Sequence, residues 1–194
     1  MLLLARHGRT ERNAGGLLQG RVDAPLDAVG RAQAEALAAV PALTAAAWVV
    51  CSPLQRARET AAALGPAVTV DERWIELDYG DWDGRPFASV TAEEWRRWRG
   101  DLAWSPPGGE SIAAVGSRVR AALADLAPEA AETNVVVVSH VSPIKAAVAW
   151  ALGVGDEVAW AIHLDPASLT RITVVPGPRG VVHSLNETAH LSSA

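Results

Sequence analysis

Short apolar runs alternate with helical patterns along this chain of 194 residues, and few folds accommodate such an alternation. Residues 2–5, 47–51 and 134–138 are predicted strands, and the valine run within 134–138 is typical of a strand that is covered on both faces. Amphipathic helices are predicted between these strands and after the third. Because parallel strands need crossover helices, we expect a three-layer α/β/α sandwich with a mainly parallel sheet.

Capping residues indicate where the helices begin and end. Asp27 and Ser111 precede amphipathic patterns and are predicted N-caps. Ser52 and Ser142 are each followed by proline, which favours the first position of a helix, so we predict that they cap two more helices. Gly153 is the predicted end of the last of these helices.

Two further strands are predicted near the C-terminus. Residues 168–175 and 180–186 are rich in residues that favour strands, and they flank a turn of proline and glycine at 176–180. This pattern predicts a hairpin, which adds an antiparallel edge to the sheet.

Residues 84–110 interrupt the alternation of strands and helices. This segment contains Trp95, Trp98 and Trp104 together with turn-forming residues, and we expect a small helical lid and a loop within a single domain that covers residues 1–194. We expect the indoles mainly to pack this lid onto the body of the protein, with direct contact to a substrate as the alternative.

The overall charge and composition exclude several classes of function. The formal net charge is −5, so general attraction to nucleic acid or to an anionic membrane is not expected. The apolar start is too short for a signal peptide, and no uncharged apolar stretch reaches the roughly 18 residues of a membrane helix. Cys51 is the single cysteine, which excludes an internal disulfide. We expect a cytoplasmic monomer or homodimer.

Polar residues follow three predicted strands at the point where each strand ends. Arg6 and His7 follow the first strand, Arg56 lies one turn into the helix after the second, and His140 follows the third. Ligands of open α/β sheets bind beyond the carboxyl ends of the strands, where helix N-termini also favour anions. Arginine suits the fixed, paired oxygens of a phosphate. The sequence therefore predicts an anion site at this edge of the sheet.

Several segments together resemble one known family. The stretches "RHGRTERN", "SPLQRARETA", "ELDYGDWDG", "PPGGES" and "VVSHVSPIK" resemble motifs of the histidine phosphatase superfamily, which includes the cofactor-dependent phosphoglycerate mutases. They occur in the family's order over residues 2–151. The later stretches "HLDPASLTRI" and "LNETAHL" are similar to the acid phosphatase and α-ribazole phosphatase branch.

The resemblance implies a role for six residues. It implies that His7 is the nucleophile that becomes phosphohistidine and that Glu76 donates a proton to the leaving oxygen. It also implies which residues hold the phosphate oxygens: Arg6, Asn13, Arg56 and His140. The activity implied is hydrolysis of a small phosphorylated metabolite, without a metal or another cofactor.

Elementary chemistry agrees with these roles. A neutral imidazole can attack phosphorus if its other nitrogen donates to a fixed acceptor, and fixed cations offset the charge on the equatorial oxygens. An alkoxide leaving group needs a proton, which a carboxylic acid close to phosphate can carry. None of the five histidines has the spacing of a metal site, and we expect His163 to be structural.

Two alternative functions remain at this point. A phosphoglycerate mutase of this family carries a much longer segment after the acid, whereas 30 residues separate Glu76 from Pro107 here. A catalytically silent phosphate-binding regulatory module normally lacks part of the pocket, whereas this chain retains all of it. The sequence does not identify the substrate, nor whether it contacts Arg96, Arg97 or Arg99.

Overall fold

The computed structural model describes residues 1–65, 67–175 and 179–193, with the side chains of residues 192 and 193 excepted. The strands are β1 (Leu2–Arg6), β2 (Trp48–Cys51), β3 (Val68–Val70), β4 (Val135–Ser139), β5 (Leu169–Val174) and β6 (Gly180–Glu187). The α-helices are α1 (Glu11–Ala14), α2 (Ala28–Ala38), α3 (Pro41–Thr44), α4 (Gln55–Ala62), α5 (Ala92–Gly100), α6 (Ile112–Glu132) and α7 (Val141–Leu152).

The strands form one sheet in the order β3-β2-β4-β1-β5-β6. Neighbours from β3 to β1 are parallel, whereas β5 runs antiparallel to β1 and to β6. The mainly parallel sheet with an antiparallel edge is therefore confirmed. Val174 pairs with Gly180 as the predicted hairpin requires, and its turn at 176–178 lies outside the described residues.

Alternate side chains of the central strands supply two hydrophobic cores. Leu4 and Val137 belong to the core that packs against α6 and α7, whereas Leu3 and Val136 belong to the core on the side of α2 and α4. This period of two follows from the pleat of a strand and explains why the central strands are continuously apolar. The three predicted layers are confirmed.

The predicted helix ends are confirmed in part. The side chains of Asp27 and Ser111 accept hydrogen bonds from the third helical amide, and Gly153 ends α7 with a positive φ of 66°. The predicted caps at Ser52 and Ser142 are wrong, because α4 begins at Gln55 and α7 begins at Val141, in both cases without a side-chain cap.

Segment 84–110 carries α5 and packs through its aromatic rings. Trp98 is buried and contacts Trp82 and Trp160 edge-on, with ring centroids 5.6 and 5.0 Å apart. Indole packing onto the body of the protein is therefore present, as predicted. No described helix is both long enough and apolar enough to cross a membrane.

Candidate active site

The carboxyl ends of β1 and β4 lie side by side, and they bring together residues that are far apart in the sequence. Arg6 at the end of β1 is in register with Ser139 at the end of β4. Arg56 Nε donates to His7 Nε2, and the rings of His7 and His140 lie 5.0 Å apart. Four of the six predicted residues line one cavity of about 290 Å³, namely Arg6, His7, Asn13 and Glu76. All six predicted residues are thus assembled.

His7 is held in one tautomer by its two neighbours. Its Nδ1 lies 2.7 Å from the carbonyl oxygen of Gly8, and its Nε2 lies 3.3 Å from Arg56 Nε. Because a carbonyl can only accept and a guanidinium can only donate, the proton resides on Nδ1 and the lone pair on Nε2. The lone pair therefore lies on the nitrogen that an attacking imidazole would use, where it accepts from Arg56 Nε.

Gly8 is required where β1 leaves the sheet. A Cβ atom at this position would overlap the backbone oxygen of Gly30. The backbone that follows β1 can approach the backbone of α2 this closely only where Gly8 carries no side chain, which explains the glycine after His7.

Both histidines are kept neutral by burial. His7 and His140 are 3% and 0% exposed, and desolvation lowers the pKa of each well below its ordinary value. The nearby charge of Arg56 and of Arg6 lowers the pKa of both further, because a second cation beside a cation is disfavoured. The imidazoles therefore stay unprotonated below neutral pH.

Arg56 is fully buried and is held by the loop that follows α1. Its two terminal nitrogens donate to the carbonyl oxygens of Gly20 at 2.7 Å and Val22 at 3.1 Å. Asp83 accepts from the amides of the same two residues, so its carboxylate supports the loop that holds the arginine. Burial lowers the pKa of Arg56 to about 10, which still leaves it charged near neutral pH.

Two buried nitrogen atoms at the site have no hydrogen-bond partner within the described part of the chain, namely Arg6 Nε and His140 Nδ1. Arg6 is otherwise held through Nη1, which donates to the carbonyl of Leu164 at 2.6 Å, and His140 Nε2 lies 2.7 Å from Ser52 Oγ. Buried polar groups are ordinarily paired, so Arg6 Nε can donate to an anion beside His7, and His140 Nδ1 can do the same in the tautomer in which Ser52 Oγ donates to Nε2.

Asn13 belongs to the cap of α1. Its Oδ1 accepts from the backbone amide of Thr10 at 3.1 Å, while Thr10 Oγ1 accepts from the amide of Asn13. This reciprocal cap orients the side chain, and it leaves the Nδ2 amide group to donate into the cavity that Asn13 lines.

Glu76 is held by three backbone amides. Its carboxylate accepts from Leu77 N at 2.7 Å, from Val141 N at 3.1 Å and from Ser142 N at 3.2 Å. The last two amides are the N-terminus of α7, which explains why this helix needs no serine cap. The carboxylate is therefore fixed at the wall of the cavity.

The sequence predicts that helix N-termini face the phosphate. This prediction is wrong for the helix amides that already donate to carboxylates of the protein. The first amides of α7 donate to Glu76, and Gln55 N at the start of α4 donates to Asp23 Oδ1 at 2.7 Å. Carboxylates satisfy these positive helix ends, as the helix dipole favours. Side-chain nitrogens remain as the groups that can hold an anion at His7.

The wall formed by residues after α7 was not predicted from the sequence. His163 lines the same cavity as His7, and its Nε2 lies 3.0 Å from Asp165 Oδ1. Asp165 in turn accepts from Asn186 Nδ2 at 2.8 Å, so the two late family-like stretches hold each other in place. The expectation that His163 is purely structural does not explain its place on the cavity wall.

Known proteins resemble this chain over almost its whole length. The family model of the histidine phosphatase superfamily (branch 1) matches residues 2–188. The bifunctional protein Rv2228c of Mycobacterium tuberculosis is 39% identical over 98% of this chain, which spans only 54% of that longer protein.

Two solved structures show the same fold. Mycobacterial glucosyl-3-phosphoglycerate phosphatase Rv2419c, in complex with VO3, is 33% identical with a TM-score of 0.84, over 96% of this chain and 98% of that one. Phosphoserine phosphatase from Entamoeba histolytica, in complex with 3-phosphoglyceric acid, is 28% identical with a TM-score of 0.88, over 98% of both chains.

Proposed function

The chain belongs to branch 1 of the histidine phosphatase superfamily, and from that membership we propose that it hydrolyses small phosphate monoesters through a phosphohistidine at His7. The observation that carries the proposal is the tautomer of His7, whose Nδ1 proton is held by Gly8 while Nε2 keeps its lone pair. A neutral imidazole with an oriented lone pair is a competent nucleophile for phosphorus.

The phosphate would be held by nitrogen donors around His7. Arg6 Nε is a buried donor that a phosphate oxygen would satisfy, and His140 Nδ1 would be a second one with Ser52 Oγ donating to Nε2. Arg56 Nε, which donates to His7 Nε2, would donate to a phosphate oxygen once Nε2 is bonded to phosphorus. Asn13 would add an amide donor. Fixed cations and donors of this kind stabilise the charge on the equatorial oxygens in the transition state.

Glu76 would supply the proton to the leaving oxygen. In the first step the bond between His7 Nε2 and phosphorus forms, the ester bond breaks, and the alkoxide takes the carboxylic proton. In the second step a water oxygen attacks phosphorus, and the bond between phosphorus and His7 Nε2 breaks with its electron pair returning to Nε2. Glu76 recovers a proton from that water, and inorganic phosphate leaves. No metal ion or organic cofactor enters this sequence.

The surroundings of the site suggest a small phosphorylated metabolite as the substrate. Residues 84–110 would act as a lid over the cavity, since Phe87 from this segment lines it. Relatives named as phosphatases of phosphoserine and of glucosyl-3-phosphoglycerate support a substrate of this size. The negative net charge disfavours general binding to nucleic acid or anionic membranes, and we propose a cytoplasmic location. The protein is proposed to act as a monomer or a homodimer.

A panel of phosphate monoesters tests the activity. We expect release of inorganic phosphate from several monoesters, in the presence of EDTA, with kcat/KM as the measure. The panel includes 3-phosphoglycerate with its bisphosphate cofactor, and isomerisation faster than phosphate release would favour the mutase. The His183→Ala variant is the control, because His183 is exposed on β6. No turnover of any monoester by the folded protein would overturn the proposal.

A further inference from the structure

A second cavity, of about 260 Å³, adjoins the first, and five aromatic side chains line it together with aliphatic and charged residues. Four residues line both cavities: Tyr79, Phe87, Val141 and Lys145. The backbone amide of Val141 donates to Glu76, so the boundary between the cavities passes the proposed proton donor. A leaving group that departs from phosphorus on the Glu76 side would therefore meet this second cavity.

The tryptophan rings that line the second cavity also pack against one another. Trp95 and Trp98 are stacked with centroids 5.5 Å apart and an interplanar angle of 18°, and Trp160 stands edge-on to both. Phe87 packs against Trp95, with 4.9 Å between the ring centroids. Rings offer a planar guest both stacking and edge contacts.

This aromatic cluster is more exposed than simple core packing requires. Trp98 is 2% exposed, but Phe87 is 54% exposed and Trp95 is only half-buried. Arg99 lies over Trp95 and Trp160, at 5.3 and 5.9 Å from their ring centroids, and so covers part of these rings while keeping its charge in water. An accessible apolar surface beside a polar site commonly marks a place for a ligand.

We propose that this aromatic cavity is the leaving-group subsite and that the preferred substrate is a phosphate monoester whose leaving group carries a flat, apolar ring system. The inference rests on the proposed phosphatase activity, because it assigns the other end of the same ester. The reaction at phosphorus is unchanged: only the group that Glu76 protonates is specified.

Phenyl phosphate and 2-naphthyl phosphate test the subsite, because their leaving groups are similar in acidity and differ by one fused ring. We expect kcat/KM to be about tenfold higher for the naphthyl ester, since the second ring buries further apolar surface. Trp95→Leu should reduce this preference to about twofold. Trp104→Leu is the matched control, because Trp104 lies in the same segment, packs on Trp82 and should leave the preference unchanged.

Phe87→Ala provides a second variant in case Trp95→Leu does not fold, because Phe87 is largely exposed. It should lower the naphthyl preference in the same direction. A wild-type preference near one, unchanged by either cavity variant, would overturn the subsite while leaving the phosphatase activity in place. Failure of wild type to hydrolyse either ester or any other monoester would instead contradict the proposed function itself.

Discussion

At the phosphate end of the site, the side chains of His7, Arg56 and Glu76 are each bonded to backbone groups, whereas at the other end Trp95 and Trp160 are positioned by contacts with other rings. A backbone hydrogen bond fixes an atom in distance and direction, while ring packing tolerates small shifts. The comparison suggests that the first region determines whether phosphoryl transfer occurs and the second determines which ester is favoured.

The largest expected effect is at the phosphate end. His7→Ala removes the atom that would form the bond to phosphorus, and we expect kcat/KM to fall by about 10³-fold or more with the fold retained. Circular dichroism and phosphate release on one preparation check both statements, with His183→Ala as the control. A folded His7→Ala variant that keeps more than a few per cent of the activity would remove the basis of the comparison.

Glu76 lies where the two regions meet, and the loss of kcat/KM on replacing it should depend on the leaving group. Glu76→Gln cannot donate a carboxylic proton, so an alkyl phosphate should lose about 10²-fold or more in kcat/KM, while p-nitrophenyl phosphate should lose less than about tenfold. Glu93→Gln is the matched control, since Glu93 is exposed on α5 and lines neither cavity. Equal losses on both esters would assign Glu76 to structure and direct the search to Asp78, Asp81 and Asp83.

The phosphate end should also make the fold sensitive to acid. Burial lowers the pKa of His7 and of His140 in the folded protein well below the ordinary value of 6.5. Below pH 6.5 the unfolded chain therefore binds protons that the folded protein does not, and the free energy of unfolding falls as pH falls. Each histidine contributes a slope of about 1.4 kcal/mol per pH unit until the lowered pKa is reached.

Denaturant unfolding between pH 6.5 and pH 5 measures that slope. The free energy of unfolding of His7→Gln should depend less steeply on pH than that of wild type, by about 1.4 kcal/mol per pH unit. The reason is that only one of the two buried histidines then takes up a proton on unfolding. His183→Ala keeps both buried histidines and should retain the wild-type slope. Identical slopes in His7→Gln and wild type would show that His7 is protonated in the folded protein.

The smallest expected effect concerns Lys145, which lines both cavities and forms no ion pair within the described residues. Burial lowers the pKa of its ammonium group, so the charge costs free energy in the folded protein. Lys145→Met should raise the free energy of unfolding by about 1 kcal/mol and lower kcat/KM by about fivefold, since the phosphate dianion loses a nearby cation. A loss of stability with unchanged kcat/KM would make Lys145 a structural residue.

The same two regions differ in how far the sequence predicts them. The alternation of strands and helices predicts the sheet, and the residues after β1, β2 and β4 indicate the phosphate end, because carboxyl ends of parallel strands meet at one edge. The partner of His7 Nδ1 is also local, since it is the next residue. The use of the α7 amides by Glu76 could not be predicted, because it depends on how residues 65 positions apart are placed in space.

The leaving-group end depends still more on long-range packing. Trp95 and Trp160 come from separate segments and meet only through the path of α6 and α7, which neither periodicity nor capping specifies. His163 reaches the cavity because the Asp165–Asn186 contact holds its loop against β6. Sequence patterns identify such residues as aromatic or polar but do not indicate which of them share a cavity.

Trapping of the phosphoenzyme tests the central claim most directly. The protein is mixed with a phosphate monoester labelled at phosphorus, quenched in base during turnover and digested, and the labelled peptide is sequenced by mass spectrometry. We predict one phosphoryl group on His7, stable in base, lost in acid and absent from His7→Ala. Label on another residue, or steady release of phosphate with no covalent label at any time, would contradict the account.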